Sequence, residues 1–211
     1  MKKEKIILVL NGKISKKSEL IRLIKKYDII VCADGAANKL VNININPNVV
    51  IGDLDSINKK VRNNNFIKFI HENNQNLNDF EKSLIWLKKE KYNDIDIIGF
   101  DGKRIDHTIG NFSIALKQIS NFDLTIITDS GIFYTIKKYK KINNILNRYI
   151  SIFSHKKNTK MTTKGLQYEM TDETLKNFHS GTLNFASLNN VEFSTEKEIL
   201  VFISNKFKKI I

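Results

Sequence analysis

The amino-acid sequence predicts an α/β protein, with an N-terminal doubly wound, mostly parallel sheet domain followed by a C-terminal all-β sandwich domain. Two observations lead to this prediction. Up to about residue 128, short apolar β-branched runs alternate with helical stretches. After residue 130, the apolar runs become short and often alternating, and Asn, Gly, Thr and Ser separate them. We therefore predict two domains, residues 1–129 and 130–211.

The first half contains six predicted strands and four predicted helices. The strands are residues 6–10, 29–33, 49–51, 66–70, 95–98 and 124–128, and the helices are residues 17–26, 36–41, 79–90 and 107–118. Strands that are apolar throughout and alternate with helices are typical of a parallel sheet covered on both faces. In the third helix, apolar residues recur at helical spacing, which predicts that they face the core and that the lysines face solvent. These apolar residues are Phe80, Leu84, Ile85 and Leu87.

The second half contains short strand-like segments and no long amphipathic helix. The segments are GIFYTIKK, RYISIFSH, KMTTKGLQYEM, TLNFASLN, VEFST and EILVFISN. Short alternating strands with turn residues between them are typical of a small sandwich.

The composition excludes several classes of protein. A chain of 211 residues with 41% hydrophobic and 27% charged residues is ordinary for a globular protein. The single cysteine, Cys32, excludes a disulfide framework and fits a reducing compartment. The apolar N-terminal stretch is too short for a signal peptide, and no segment reaches the length of a membrane span. We therefore expect a soluble, cytoplasmic protein with no membrane partner.

The net charge of +13 raises the possibility of a nucleic-acid-binding module. However, the lysines occur as scattered pairs, and no arginine-rich arm, aromatic RNA-binding strand or zinc-ligand set accompanies them. We interpret the charge as a solvated surface that attracts anionic substrates, and we expect no nucleic-acid partner.

Polar and acidic residues gather at four successive strand ends of the first half. They are Asp34 and Gly35 after the second strand, Gly52, Asp53 and Asp55 after the third, Asp79 after the fourth, and Asp101, Gly102, Arg104, Asp106 and His107 after the fifth. In a parallel sheet, all of these residues lie at the carboxyl edge, where ligands bind. Taken singly, each acid is also a common turn or helix-cap residue. Four acidic strand ends together favour a ligand-binding site over four unrelated turns and caps.

This combination of residues predicts phosphoryl or nucleotidyl transfer with a metal-bound nucleotide. Converging carboxylates repel each other unless a cation separates them, and Mg²⁺ prefers carboxylate and phosphate oxygens. Glycines let backbone N–H groups approach phosphate, and Arg104 offers a planar fork of donors. The sequence contains no GxxxxGK[ST], no GxGxxG after the first strand and no protein-kinase HRD or DFG motif.

Five segments resemble thiamine pyrophosphokinases, in the order and spacing of that family. They are ADGAANKL, PNVVIGDLDSI, NDFEKSL, GFDGKRIDHTIGNF and TTKGLQYEM. The resemblance implies transfer of pyrophosphate from ATP to thiamine, which gives thiamine diphosphate and AMP. It also implies an α/β domain that binds ATP and Mg²⁺, a β-sandwich domain that binds thiamine and dimerises, and a homodimer with active sites between subunits.

The resemblance also implies a role for each matching residue. Asp53, Asp55 and Asp79 would hold Mg²⁺ and, with Arg104, would be catalytic. From the mechanism, we expect a carboxylate near the thiamine hydroxyl, Asp79 or Asp55, to take its proton. The nucleotide would be bound by Asp34, Gly35, Gly52, Gly102, Arg104, Asp106 and His107. Thiamine would be bound by Gln75, Tyr168 and Asn184, with Tyr168 stacked on a ring of this flat cation.

Two segments depart from the family pattern. NNQNLNDF has Asn74 and Asn76 where acids are frequent, and SGTLN has Leu183 at a serine position. These departures concern the thiamine contacts more than the ATP site. A different Mg²⁺-dependent phosphotransferase that acts on another small alcohol is the main alternative.

Overall fold

The structure, a computed structural model, describes residues 4–14 and 16–207, with side chains described up to residue 205. By contacts, the chain divides into two compact units. The first comprises residues up to 114 together with 126–128, and the second comprises residues 115–125 and those from 129 onward. Each unit is described separately below.

The first unit alternates strands and helices from its first described element onward. The elements are β1 (Ile6–Val9), α1 (Lys17–Ile24), β2 (Ile29–Ala33), α2 (Ala36–Val41), β3 (Val49–Gly52), α3 (Lys59–Arg62), β4 (Lys68–His71), α4 (Asp79–Lys89), β5 (Asp94–Ile98) and the first ten residues of α5 (Ile105–Gln118). Strand β6 (Asp123–Ile127) is shared between the two units. Among the described residues, no helix has both the length and the apolar character that a membrane crossing requires.

The sheet of the first unit is parallel, with the strand order β5-β1-β2-β3-β4. Its central strands are fully buried runs such as IILV and VVIG, as expected for a sheet covered on both faces. Because the strands run in the same direction, the loops after β1, β2, β3 and β5 emerge at one edge. This arrangement confirms the predicted α/β fold and brings the acidic loops to that edge.

Helix α4 begins at Asp79 because the preceding residue caps it. The Asn78 Oδ1 atom accepts a hydrogen bond from the Glu81 N–H at 2.9 Å. Acids in the first turn and Lys88 and Lys89 in the last turn complement the helix dipole. The cap therefore fixes the start of the helix, and with it the position of Asp79 at the edge of the sheet.

The predicted orientation of α4 is wrong at two positions. Phe80, Leu84 and Leu87 are buried as expected. Ile85, however, is 54% exposed, whereas Lys82, which the helical pattern turns toward solvent, is only 3% exposed. The helix is therefore rotated so that a lysine, and not an isoleucine, faces inward.

The second unit is a β-sandwich, which confirms the second part of the predicted fold. One layer contains the neighbouring strands β12 (Asn184–Phe185), β9 (Arg148–Phe153), β14 (Ile199–Phe207) and β7 (Gly131–Ile136). The other contains β11 (Glu173–Thr174), β10 (Lys160–Lys164), β13 (Asn190–Thr195) and β8 (Tyr139–Asn143). All pairings within these layers are antiparallel. Inward residues of both layers, including Ile152, Val201 and Phe193, form one core.

Three short elements are absent from the sequence prediction, and strand β4 begins later than predicted. The elements are α3, β8 and β11. Strand β4 begins at Lys68, two residues after the predicted start, because the Phe66 N–H donates to the Asn64 side chain in a turn. Phe66 is consequently 84% exposed.

Candidate active site

Three carboxylates from two loops meet at the carboxyl edge of the parallel sheet. Asp34 follows β2, and Asp53 and Asp55 follow β3. One carboxylate oxygen from each of the three lies within 4.8 Å of the others. Asp79 is not part of this group. Carboxylates this close repel each other, and a divalent cation between them relieves the repulsion, so the three acids form a candidate metal centre.

Asp34 provides a test of whether these residues fit a metal ion. The residue is 4% exposed, and its Oδ1 atom has no hydrogen-bond partner among the described residues. Burial of a carboxylate oxygen without a donor is costly, and a cation removes that cost. An all-oxygen ligand set of carboxylates suits Mg²⁺. The residues present therefore fit a divalent ion.

Gly52 allows the two acidic loops to approach each other. A Cβ atom built on Gly52 would lie 2.8 Å from the Cβ atom of Asp34, which is closer than real Cβ atoms approach. The glycine at the end of β3 is therefore required by the position of Asp34 on the neighbouring strand.

We expect Gly52→Ala to weaken divalent-metal binding by about tenfold, because the new methyl group displaces the Asp34 carboxylate from the group. A titration with Mn²⁺ followed by electron paramagnetic resonance measures this effect. Gly110→Ala is the matched control, because a Cβ atom at Gly110 meets nothing within 4 Å. Wild-type Mn²⁺ affinity in a folded Gly52→Ala variant would contradict this role of the glycine.

Lys82 lies between two of the acids. Its Nζ atom is 3.5 Å from Asp79 Oδ1 and 3.9 Å from Asp53 Oδ2, and its side chain is 2% exposed. An ammonium group has three donors. Among the described residues, the only hydrogen bond of the Lys82 ammonium group is the long one to Asp79. The group therefore retains donor capacity in addition to neutralising the acids.

Asp53 and Asp79 differ in proton affinity. Burial acts to raise the pKa of the Asp53 carboxyl, but hydrogen bonds from Gln75 and a backbone N–H, together with the Lys82 charge, hold this pKa below its ordinary value. Burial raises the pKa of the Asp79 carboxyl, the charges of Asp34 and Asp53 raise it further, and Lys82 opposes both effects. Asp53 therefore stays ionised to lower pH than Asp79.

Gln75 extends the site from the loop before α4. Its Nε2 atom donates to Asp53 Oδ2 at 3.4 Å. The loop is held by local contacts, since the Asn74 N–H donates to Glu72 Oε1 and the Asn76 N–H donates to Asn74 Oδ1. The two asparagines that depart from the family pattern therefore shape the backbone that presents Gln75.

The loop after β5 carries the predicted nucleotide-binding residues. Arg104 donates to Asp106 through Nε at 3.1 Å and through Nη2 at 2.6 Å, and both side chains are exposed. The hydrogen bond from Arg104 is the main reason why the pKa of the Asp106 carboxyl lies below its ordinary value. Gly102 lies so close to Lys13 that a Cβ atom at Gly102 would be 2.3 Å from the Lys13 Cβ atom. A larger residue therefore does not fit at this position. Gly35 is a buried residue directly before α2.

A cavity of about 340 Å³ connects these segments within the first unit. Its lining includes Asp53, Gln75, Asp79, Lys82, Arg104 and His107. Acidic and basic side chains therefore face one space of a size suited to a small ligand.

Tyr168 and Asn184, the remaining predicted site residues, contact each other in the second unit. The Asn184 Oδ1 atom accepts from the Tyr168 N–H at 3.1 Å, and Asn184 Nδ2 donates to the Tyr168 carbonyl at 2.7 Å. Tyr168 is 62% exposed, whereas Asn184 is buried. Leu183, the second departure from the family pattern, is 85% exposed.

The sequence analysis did not single out Lys82 and Asn111. Asn111 Nδ2 donates to the Phe100 carbonyl at 3.0 Å, and Asn111 Oδ1 accepts from Asn78 Nδ2 at 3.4 Å. It therefore connects the loop after β5 to the start of α4. The sequence spacing could have indicated both residues. Lys82 is three residues after Asp79, and Asn111 is four residues after His107, so each of them shares a helix face with a predicted site residue.

The parallel sheet with carboxylates at its carboxyl edge, followed in the chain by a β-sandwich, defines a two-domain α/β protein with a ligand site at the edge of the sheet. Residues 20–128 match the family described as thiamin pyrophosphokinase, catalytic domain. Residues 131–202 match the family described as thiamin pyrophosphokinase, substrate-binding domain. The chain belongs to the thiamin pyrophosphokinase family, as its motifs predicted.

Individual relatives agree with this assignment. The chain is 29% identical over 137 residues to thiamin pyrophosphokinase 1 of Caenorhabditis elegans, which covers 59% of this chain and 55% of that protein. It is 38% identical over 89 residues to thiamine pyrophosphokinase of Saccharomyces cerevisiae, covering 36% of this chain and 28% of that protein. The alignments thus span little more than half of the worm protein and less than a third of the yeast protein.

Solved structures share the fold. Thiamine pyrophosphokinase of Bacillus subtilis superposes with a TM-score of 0.75 at 21% identity, covering 95% of this chain and 98% of that chain. Thiamin pyrophosphokinase of Candida albicans gives a TM-score of 0.76 at 20% identity, covering 95% and 89%. At this identity, the likeness concerns the fold.

Proposed function

We propose that this chain is a thiamine pyrophosphokinase, which transfers pyrophosphate from ATP to the hydroxyl of thiamine and gives thiamine diphosphate and AMP. Membership of the family supports the reaction. The observation that carries the proposal is the meeting of Asp34, Asp53 and Asp55 at the sheet edge. A group of this kind is compatible with a polyanionic substrate only when a divalent cation separates the charges.

Mg²⁺ is the cation we propose, and Asp34, Asp53 and Asp55 would hold it. When bound, Mg²⁺ supplies neutralisation of the phosphate charge during transfer. The buried, unpartnered Oδ1 atom of Asp34 supports its place in the set. The sequence predicted Asp79, and not Asp34, as the third metal ligand beside Asp53 and Asp55. We propose a different role for Asp79.

In the proposed reaction, the thiamine hydroxyl oxygen attacks the β-phosphorus of ATP. The bond between this phosphorus and the oxygen that bridges to the α-phosphate breaks, and AMP leaves with that oxygen. Asp79 takes the hydroxyl proton, because it borders the cavity and lies outside the three-carboxylate group. Asp55 is the alternative acceptor.

Lys82 and Arg104 bring positive charge to the phosphates. Both line the cavity, and the Lys82 ammonium group has donor capacity that the described residues do not use. Arg104 is paired with Asp106 in the free chain, so the phosphate chain replaces Asp106 when the nucleotide binds. Fixed donors of this kind act on the charge that develops during transfer. Most of the acceleration then comes from positioning and charge neutralisation.

Thiamine recognition is assigned to Gln75, Tyr168 and Asn184. The exposed Tyr168 ring can stack on a cationic ring of thiamine. Asn184 uses one N–H of its amide on the Tyr168 carbonyl, which leaves the second for the pyrimidine. The match of residues 131–202 to a substrate-binding domain supports the assignment of Tyr168 and Asn184 to thiamine binding.

The domain roles and the assembly complete the proposal. Residues 1–129 bind ATP and Mg²⁺, and residues 130–211 bind thiamine and dimerise. The homodimer with active sites between subunits follows from the family resemblance, and light scattering coupled to gel filtration measures it. The cytoplasmic location stays a prediction from composition.

The products formed from ATP and thiamine test the proposed function. We expect purified chain, ATP, Mg²⁺ and thiamine to give thiamine diphosphate and AMP in equal amounts. Release of ADP with thiamine monophosphate would identify a different phosphotransferase. Steeply salt-dependent retention on DNA or RNA without either product would favour the nucleic-acid-binding alternative.

A further inference from the structure

Two lysines from separate elements converge on one asparagine in the loop after β1. Lys39, in α2, donates from Nζ to the carbonyl oxygens of Asn11 at 3.0 Å and Gly12 at 2.5 Å. Lys103, in the loop after β5, donates from Nζ to Asn11 Oδ1 at 3.1 Å. Asn11 thus uses its backbone and its side chain to hold two ammonium groups near each other.

Neither lysine has an acidic partner in the part of the chain that the structure describes. Within residues 4–14 and 16–207, no carboxylate forms an ion pair with Lys39 or Lys103, and the oxygens they contact are neutral amides. Two like charges held in this way repel each other. Burial, followed by the charge of Lys103, lowers the pKa of Lys39 to about 8. A bound anion would relieve this repulsion.

Asn11 and Lys103 follow strands that do not carry the three carboxylates, and Lys39 reaches Asn11 from α2. Asn11 and Lys103 follow β1 and β5, whereas the carboxylates follow β2 and β3, in a sheet with the order β5-β1-β2-β3. Neighbouring strands are about 4.8 Å apart, so roughly two strand spacings separate the end of β5, which precedes Lys103, from the end of β2, which precedes Asp34. Asn11 and Lys103 line the same cavity as Asp53 and Asp79. Lys103 therefore brings positive charge to the β5 side of the cavity, and Lys39, which is not a lining residue, contacts the lining residues Asn11 and Gly12.

We propose that Lys39 and Lys103, held by Asn11, form a metal-independent subsite for the phosphate that remains on the nucleoside. This phosphate is the α-phosphate of ATP before transfer and the phosphate of AMP after it. The inference rests on the proposed function, because it assigns a direction to the nucleotide: the transferred phosphates lie at the carboxylate end and the nucleoside phosphate lies at the lysine end. A metal-free anion is repelled by the carboxylates and is attracted by the positive side chains near Asn11, which include Lys39 and Lys103.

Calorimetric binding of AMP, adenosine and inorganic phosphate in the presence of EDTA tests the subsite. We expect the wild-type chain to bind AMP at least about tenfold more tightly than adenosine, as charge-assisted hydrogen bonds imply. Lys103→Met and Lys39→Met should each weaken AMP binding by about tenfold and leave adenosine binding unchanged. Lys39→Arg should retain most of the affinity. Binding of inorganic phosphate as tight as that of AMP would overturn the assignment to a nucleotide.

Lys60→Met is the matched control, because Lys60 also donates to a backbone carbonyl, that of Val41 at 3.1 Å, but Val41, unlike Asn11 and Gly12, does not line the cavity. Unchanged AMP affinity in folded Lys103→Met would overturn the subsite, even if Lys39→Met fails to fold. Failure of the subsite is distinguishable from failure of the proposed function. A chain that forms thiamine diphosphate but shows no lysine effect refutes the subsite alone, whereas a chain that binds neither AMP nor adenosine and forms no product refutes both.

Discussion

Asp53→Asn is expected to lower the turnover of thiamine by about 10³-fold while the chain remains folded. Asp53 belongs to the three-carboxylate group and is also 3.9 Å from Lys82. The change removes one charge from the proposed metal site but preserves the size of the side chain. Because the Asp53 side chain is 25% exposed and Asp79 continues to pair with Lys82, little stability is lost.

Turnover and thermal unfolding measured on the same preparation check this expectation. Asp123→Asn is a suitable control, because Asp123 is an exposed carboxylate that does not line the cavity. A folded Asp53→Asn enzyme with near-normal turnover would remove Asp53 from the metal site.

Lys82→Met should have the second-largest effect, a loss of turnover of about 10²-fold. The substitution keeps the apolar stem and removes the cation that lies between Asp53 and Asp79. Metal affinity should change in the opposite direction. Without nucleotide, Mn²⁺ should bind more tightly, because a positive charge beside the carboxylates is gone.

This opposite response of turnover and metal affinity distinguishes Lys82 from a residue that only supports the fold. Lys89→Met, on the exposed last turn of the same helix, is the matched control and should change neither quantity. Wild-type turnover in folded Lys82→Met would refute the role of Lys82, and weaker Mn²⁺ binding would show that the lysine does not compete with the metal.

The sequence was most informative where local pattern and burial coincide. Strand β2 and helix α2 have the predicted bounds, because IIVCA is flanked by polar residues and ADG stops the strand sharply. Helix α3 was missed because it has four residues and buries only Val61. Strand β8 was missed because YKKIN alternates without a strongly apolar face, so that its pairing with β13 defines it. Non-local pairing of this kind leaves little local signal.

The candidate site was predictable in its location but not in its charge balance. A parallel sheet brings strand ends together, so Asp34, Asp53 and Asp55 could be placed at one edge from topology alone. Lys82 could not, because helical patterns assign lysines to solvent. Its burial depends on carboxylates from a distant loop and from one turn earlier in the same helix. The lysine pair at Asn11 likewise depends on loops that are distant in sequence.

Anomalous X-ray diffraction from crystals grown with Mn²⁺ and a non-transferable ATP analogue would locate the cation that the proposed chemistry requires. The expected result is a manganese peak within coordination distance of the Asp34, Asp53 and Asp55 carboxylates, with phosphate oxygens completing its ligand set. A peak bound elsewhere, with these three side chains free of metal while the analogue occupies the cavity, would contradict the proposal that they hold the nucleotide through a divalent ion.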